Sequence, residues 1–167
     1  MAHTPLPMTT ATGMGPLPEL LERMAGAKAV ERAFRRENLP LALIEDPEHR
    51  IPMASLVGLF EHAGWEVGDR LFGLRVGLNM APGAYGLWTE YGASASNLRD
   101  ALNRLTRTIA VHQIGGKMDL VVVGGTAAWT YYPPENVANP GRHHSDHVLP
   151  VMIGFVRVFL GPDWMPD

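Results

Sequence analysis

KMDLVVVGGTAAWTYY, residues 117–132, is the stretch that decides the fold. Apolar and β-branched residues dominate Lys117–Val123, and a second strand-like run fills Thr126–Tyr132. Between them stand Gly124 and Gly125, a pair suited to the positive-φ geometry of a tight two-residue turn. The pattern predicts an antiparallel hairpin. Its register sets Met118, Leu120 and Val122 opposite Tyr131, Trp129 and Ala127. That face is wholly apolar or aromatic, so helices or a ligand must cover it. The other face, with Asp119, Thr126 and Thr130, reads as half solvated. A lone hairpin is only marginally stable, so further strands are expected beside it. They would come from a partner chain or from sequence beyond Asp167.

Upstream of the hairpin, Ser96 is the predicted N-cap of a helix with Leu98, Ala101, Leu102, Leu105 and Ile109 inward. Before it, Gly83, Gly86 and Gly92 punctuate an aromatic segment that holds Tyr85, Trp88 and Tyr91. A helix around 69–78 carries Leu71, Phe72, Leu74 and Val76. Pro52 suits the first turn of an earlier helix, with Leu56, Val57, Phe60, Ala63 and Trp65 inward and Gly64 as its stop. The first periodic segment, 17–38, spaces Leu20, Leu21, Met24, Ala27, Val30 and Phe34 as a helix does, and Gly26 divides it. Residues 1–16, rich in Pro, Thr and Gly, read as a flexible lead-in, and 17–167 as one domain.

Downstream, residues 133–147 (PPENVANPGRHHSDH) read as a loop. Proline suits only a first helical turn, so Pro150 places the start of the last helix near His147. Val151, Phe155, Val158 and Phe159 form its core side, and Gly161-Pro162 stops it. The expected class is α+β: N-terminal helices, a central helix, an antiparallel β-hairpin as part of a small sheet, and a C-terminal helix.

Composition narrows the function. The 167 residues can bury a core of their own, and 46% hydrophobic with 19% charged content is that of a globular domain. Lys and Arg number 14 against 17 Asp and Glu, a net charge of -3 that argues against nucleic-acid binding by this segment. Arg32, Arg35 and Arg36 form a local exception, read as a solvated helix face. The absence of cysteine excludes disulfides, thiolate zinc sites and thiol catalysis. No apolar run reaches the roughly 18 residues of a membrane span. The N-terminus lacks a signal-peptide layout, so the expected location is the cytoplasm.

Few constellations carry chemistry. His144 and His147 stand at i, i+3 beside His143 and Asp146, a spacing compatible with zinc or iron. The run lies in a Pro/Gly loop without a second ligand cluster, so a solvated loop is the better reading. His112 stands alone near a helix end, where a structural role outweighs haem ligation. Ser55, Ser94, Ser96 and Ser145 lie outside any G-x-S-x-G elbow. The glycines of VGGTA lead into a strand, not the helix N-terminus that a dinucleotide phosphate needs. No catalytic residue, metal or cofactor is therefore expected. What remains is Tyr85, Trp88, Tyr91, His112, Trp129 and Tyr131. They are either ordinary core or the mostly apolar lining, with polar tips, of a small-molecule pocket. The second is the expectation for binding. The alternative is a small metal- or haem-dependent protein using His143, His144 and His147, or His112.

Three segments carry a family resemblance: ENLPLALIEDPEHRIPMASLVGLFEHA (37–63), GDRLFGLRVGLNMAPGAYGLWTEYGASASNLRDAL (68–102) and, after the strands and last helix, FLGPDWMPD (159–167). In order and spacing they resemble the N-terminal sensor domain, labelled arabinose-binding, of AraC/XylS-type transcription regulators. The resemblance implies a non-enzymatic, cytoplasmic sensor of a small-molecule effector that works as a homodimer. It also implies a separate helix-turn-helix domain for DNA, absent from this chain and expected beyond residue 167, with completing strands between.

Overall fold

The computed structural model describes residues 6–135, 137 and 141–167. Along them run β1 (Met8–Thr10), α1 (Leu17–Ala25), α2 (Ala27–Arg36), β2 (Arg50–Pro52), α3 (Met53–Val67) and α4 (Phe72–Leu78). The second half holds α5 (Leu87–Ala93), α6 (Leu98–His112), β3 (Lys117–Val123), β4 (Thr126–Tyr132) and α7 (Arg142–Leu160). The fold is α+β, with two antiparallel two-stranded sheets among the described residues.

The first core forms where α1 and α2 lay Leu17, Leu21, Ala33 and Phe34 against Leu56, Leu59 and Phe60 of α3 and Phe72 and Val76 of α4. The predicted break at Gly26 is present and restarts the helical phase. Ala29 turns inward as a result, while Met24 and Ala27 face solvent. α3 does not stop at Gly64. It runs to Val67, and Gly68 (φ 68°, ψ 21°) takes the left-handed cap, donating its N–H to the Gly64 carbonyl at 2.9 Å. Gly64 serves close approach instead, since a Cβ there would lie 2.3 Å from Nε2 of His143. Trp65, read as inward, is 71% exposed.

The second core joins Trp88, Ala101, Leu102, Leu105 and Ile109 to Met118, Phe155 and Val156. Asn97, not Ser96, caps α6: its Oδ1 accepts the Asp100 N–H at 3.0 Å. The hairpin has the register read from its sequence, and both turn glycines have positive φ. Met118 is buried, and Leu120, Trp129 and Tyr131 are partly buried against the helices. Val122 and Ala127, nearer the turn, are exposed. No third strand joins this sheet among the described residues, so helix packing supports the hairpin instead.

Two expectations fail for long-range reasons. Residues 8–14 are not a loose lead-in. β1 pairs with β2, Thr9 bridges Gln113, and Thr9, Ala11, Thr12, Gly13 and Met14 are buried. The last helix begins at Arg142, not His147, and contains Pro150. Proline there forfeits the bond to the Asp146 carbonyl, but the preceding turns are held from outside. The Glu61 carboxylate accepts the His143 N–H at 2.7 Å, where the helix dipole favours negative charge. A Cβ on Gly73 would lie 2.0 Å from the His143 carbonyl oxygen, so α4 and α7 meet backbone to backbone. Within the predicted loop, residues 136 and 138–140 lie outside the described residues.

Candidate functional site

Between α5, α6, the hairpin and α7 lies a cavity of about 50 Å³, room for roughly three to five waters. Of the six residues singled out in the sequence, Tyr85, Trp88, His112, Trp129 and Tyr131 line it. Tyr91 does not. It is half exposed, with the Arg104 guanidinium 4.9 Å from its ring centroid. The inward position one helical turn after Trp88 is Gly92, not Tyr91.

α6 delivers His112 into a three-ring cluster in which Tyr85 and Trp88 also approach each other, at 6.2 Å. Tyr85 stacks on it at 4.6 Å and Trp88 at 5.1 Å, the latter within 4° of parallel. Its Nδ1 is 2.8 Å from the Thr10 hydroxyl, which in turn lies 2.6 Å from that of Thr12. The buried N-terminal strand thus completes the site. Burial above all, then the charge of Arg50 and the neighbouring His144, pulls the His112 pKa down to about 4.

α7 contributes His144 and His147, from within the segment expected to be a loop. His147 stacks on Phe60 at 4.3 Å. Its Nδ1 faces the His144 carbonyl and so carries the proton, leaving Nε2 to accept the Tyr85 hydroxyl at 3.0 Å. Burial holds His147 well below the ordinary imidazole range and lowers His144 to about 4. The Tyr131 hydroxyl donates to Oε1 of Gln113 at 2.7 Å, and Nε2 of Gln113 lies 2.9 Å from the Met53 sulfur. Burial raises both phenols, Tyr131 to about 12. Among the described residues, every titrating group in the cavity is therefore neutral near pH 7, and no Asp, Glu, Lys or Arg lines it. The indole N–H of Trp129 is buried without a hydrogen-bond partner among the described residues.

A signal for the missed histidines was available. Positions 144, 147, 148, 151 and 155 follow one helical stripe, and all line the cavity. Reading Pro150 as a helix start hid it.

The four-residue metal candidate does not converge. His144 and His147 face the cavity, His143 packs on Gly64 and Gly73, and Asp146 pairs with Arg142 at 3.6 Å. Among the described residues no three such groups surround a common point. His112 is stacked with Tyr85 and Trp88 and has its Nδ1 engaged by Thr10, and a porphyrin exceeds the cavity. The arrangement can bury a small apolar body and offer it a few uncharged polar contacts.

A family model described as the N-terminal arabinose-binding domain of the AraC transcription regulator matches residues 29–167. No curated protein matches the chain. Among the described residues, no helix is long and apolar enough to cross a membrane.

Proposed function

The chain belongs to the family of N-terminal arabinose-binding domains of AraC transcription regulators, and from that premise we propose that it senses a small-molecule effector in the cavity under the hairpin. One observation carries the reading: a partly open pocket walled by aromatic rings and neutral polar tips, almost all of them within the family match. Thr9 and Gly13 are the lining residues that precede it. Such a wall binds and orients a ligand. Because α6, the hairpin and α7 all touch the cavity, a ligand that draws them together shifts their relative packing. In the proposed setting a cytoplasmic homodimer passes that shift to a separate helix-turn-helix domain. The net charge of -3 supports leaving DNA contact to that domain.

A thermal-shift screen with chemically diverse metabolites, L-arabinose among them, tests the proposal. A ligand that binds only the folded state, present at a hundred times its Kd, adds about 2.7 kcal/mol of stability. The expected result is a melting point raised by at least one compound and unmoved by it in Val151→Trp, which fills the cavity. A broad library that shifts nothing overturns the proposal.

A further inference from the structure

Resting on the reading of this cavity as the effector site, we infer that its ligand is a compact, uncharged, ring-sized molecule offering a hydrogen-bond acceptor to the Trp129 indole, and not a polyol such as a pentose. Volume alone does not decide this. A cavity of about 50 Å³ holds roughly three to five waters, whose displaced liquid volume is that of a single five- or six-membered ring. A pentose and a cyclic ketone both meet that limit, so polarity discriminates.

Most polar groups in the wall are already spent on one another. The Tyr85 hydroxyl is bound to Nε2 of His147 and that of Tyr131 to Gln113. Nδ1 of His112 is engaged by Thr10, and the Trp88 indole donates to the Leu105 carbonyl at 3.3 Å. Unspent among the described residues are Nε2 of His112, the ring nitrogens of His144 and the buried, partnerless N–H of Trp129, the last a pure donor that demands an acceptor. A pentose carries four hydroxyls, each with one donor and two lone pairs. Stripped of water here, most would find no partner or would have to break bonds inside the wall. Charge is equally unwelcome. Among the described residues, no lysine or arginine lines the cavity to meet a carboxylate, and no carboxylate lines it to meet an ammonium. The rings of Trp88, Trp129 and Phe155 instead offer apolar surface to a ring-shaped body.

The test uses the whole chain with indole-nitrogen NMR and four probes: cyclohexanone, toluene, L-arabinose and cyclohexanecarboxylate. Cyclohexanone is expected to shift the Trp129 indole proton downfield in a saturable way. L-arabinose and the carboxylate at equal concentration leave it in place. Trp129→Phe keeps a ring and removes the donor. It should weaken cyclohexanone roughly tenfold more than it weakens toluene, the scale of one hydrogen bond. The wild-type resonance answers the question even if this variant folds poorly. If L-arabinose or the carboxylate perturbs that resonance more tightly than cyclohexanone, and Val151→Trp abolishes the effect, the inferred class is wrong while the cavity stands. If none of the four probes perturbs any cavity resonance, the cavity reading falls and takes the inference with it.

Discussion

The two cores of this domain are built on different terms. Around α1 to α4 the buried side chains are apolar: Leu17, Leu21, Phe34, Leu59, Phe60, Phe72. Between α5, α6, the hairpin and α7, similar apolar packing surrounds His112, Gln113, His144 and His147, and space is left open. The two share a wall, since Leu56 belongs to the first core and lines the cavity, and Phe60 carries the ring of His147. A domain that needed only stability would repeat the first solution. Buried polar groups weaken a core unless each is satisfied, so they concentrate where a function uses them. The first core is thus the platform, and the second is held against it at a cost in stability.

Acid should separate the two most sharply. An unfolded imidazole titrates near 6.5, whereas His112 and His144 are held at about 4 when folded. As pH falls, the unfolded chain takes up protons first. The stability these groups contribute is fully present above about 6.5 and is lost as pH falls through 4. Within that window each removes up to about 1.4 kcal/mol per pH unit, and His147 acts in the same direction. Denaturant melts at pH 7, 6.25 and 5.5, above most carboxylate titration, should show the loss beginning. His144→Gln should flatten it. A stability independent of pH across that range would break the comparison.

Phe34→Ala probes the platform alone. Phe34 is buried in the first core and does not line the cavity. Truncation should cost about 3–5 kcal/mol, read as a lower denaturant midpoint, with Kd for any cavity ligand unchanged below the new melting point. A large change in Kd would mean that the platform and the site are coupled more tightly than a shared wall suggests.

Tyr85→Phe probes the site with a smaller effect. It removes the hydroxyl that satisfies Nε2 of His147 while keeping the ring stacked on His112. Leaving a buried acceptor unmet should cost roughly 1–3 kcal/mol. The same change frees that nitrogen for a ligand donor. Calorimetry should therefore show weaker folding together with altered ligand preference. An unchanged melting point would place a water or another donor at that nitrogen.

What the sequence disclosed follows the same division. The 3.6-residue period announced the helices of the first core because their buried faces are apolar. The hairpin was legible through Gly124 and Gly125, whose backbone requirement is local. The aromatic group was visible in the sequence, though periodicity left it open between ordinary core and pocket lining. Hidden were the features set by distant contacts: Glu61 capping α7, Gly73 admitting its backbone, and Thr9 and Thr10 folding back onto α6. Pro150 pointed the wrong way because its local penalty is offset by those contacts. His144 and His147 went with it.

Tyr91 supplies the smallest prediction and tests where the site ends. It belongs to the same aromatic segment as Tyr85 and Trp88, and spacing by three from Trp88 invites grouping it with them. The helix turns it outward instead, under the guanidinium of Arg104. An exposed cation–π contact is worth about 0.5–1 kcal/mol. Arg104 keeps its other bonds, to the Tyr91 carbonyl at 3.1 Å and the Ser94 hydroxyl at 2.9 Å, after the ring is lost. Tyr91→Ala should therefore cost less than about 1 kcal/mol and leave ligand affinity unchanged. Val151→Trp, in the same titration, should abolish binding. If Tyr91→Ala weakened the ligand as much as Tyr85→Phe does, the site would extend across the outer face of α5, and the cavity would be only part of it.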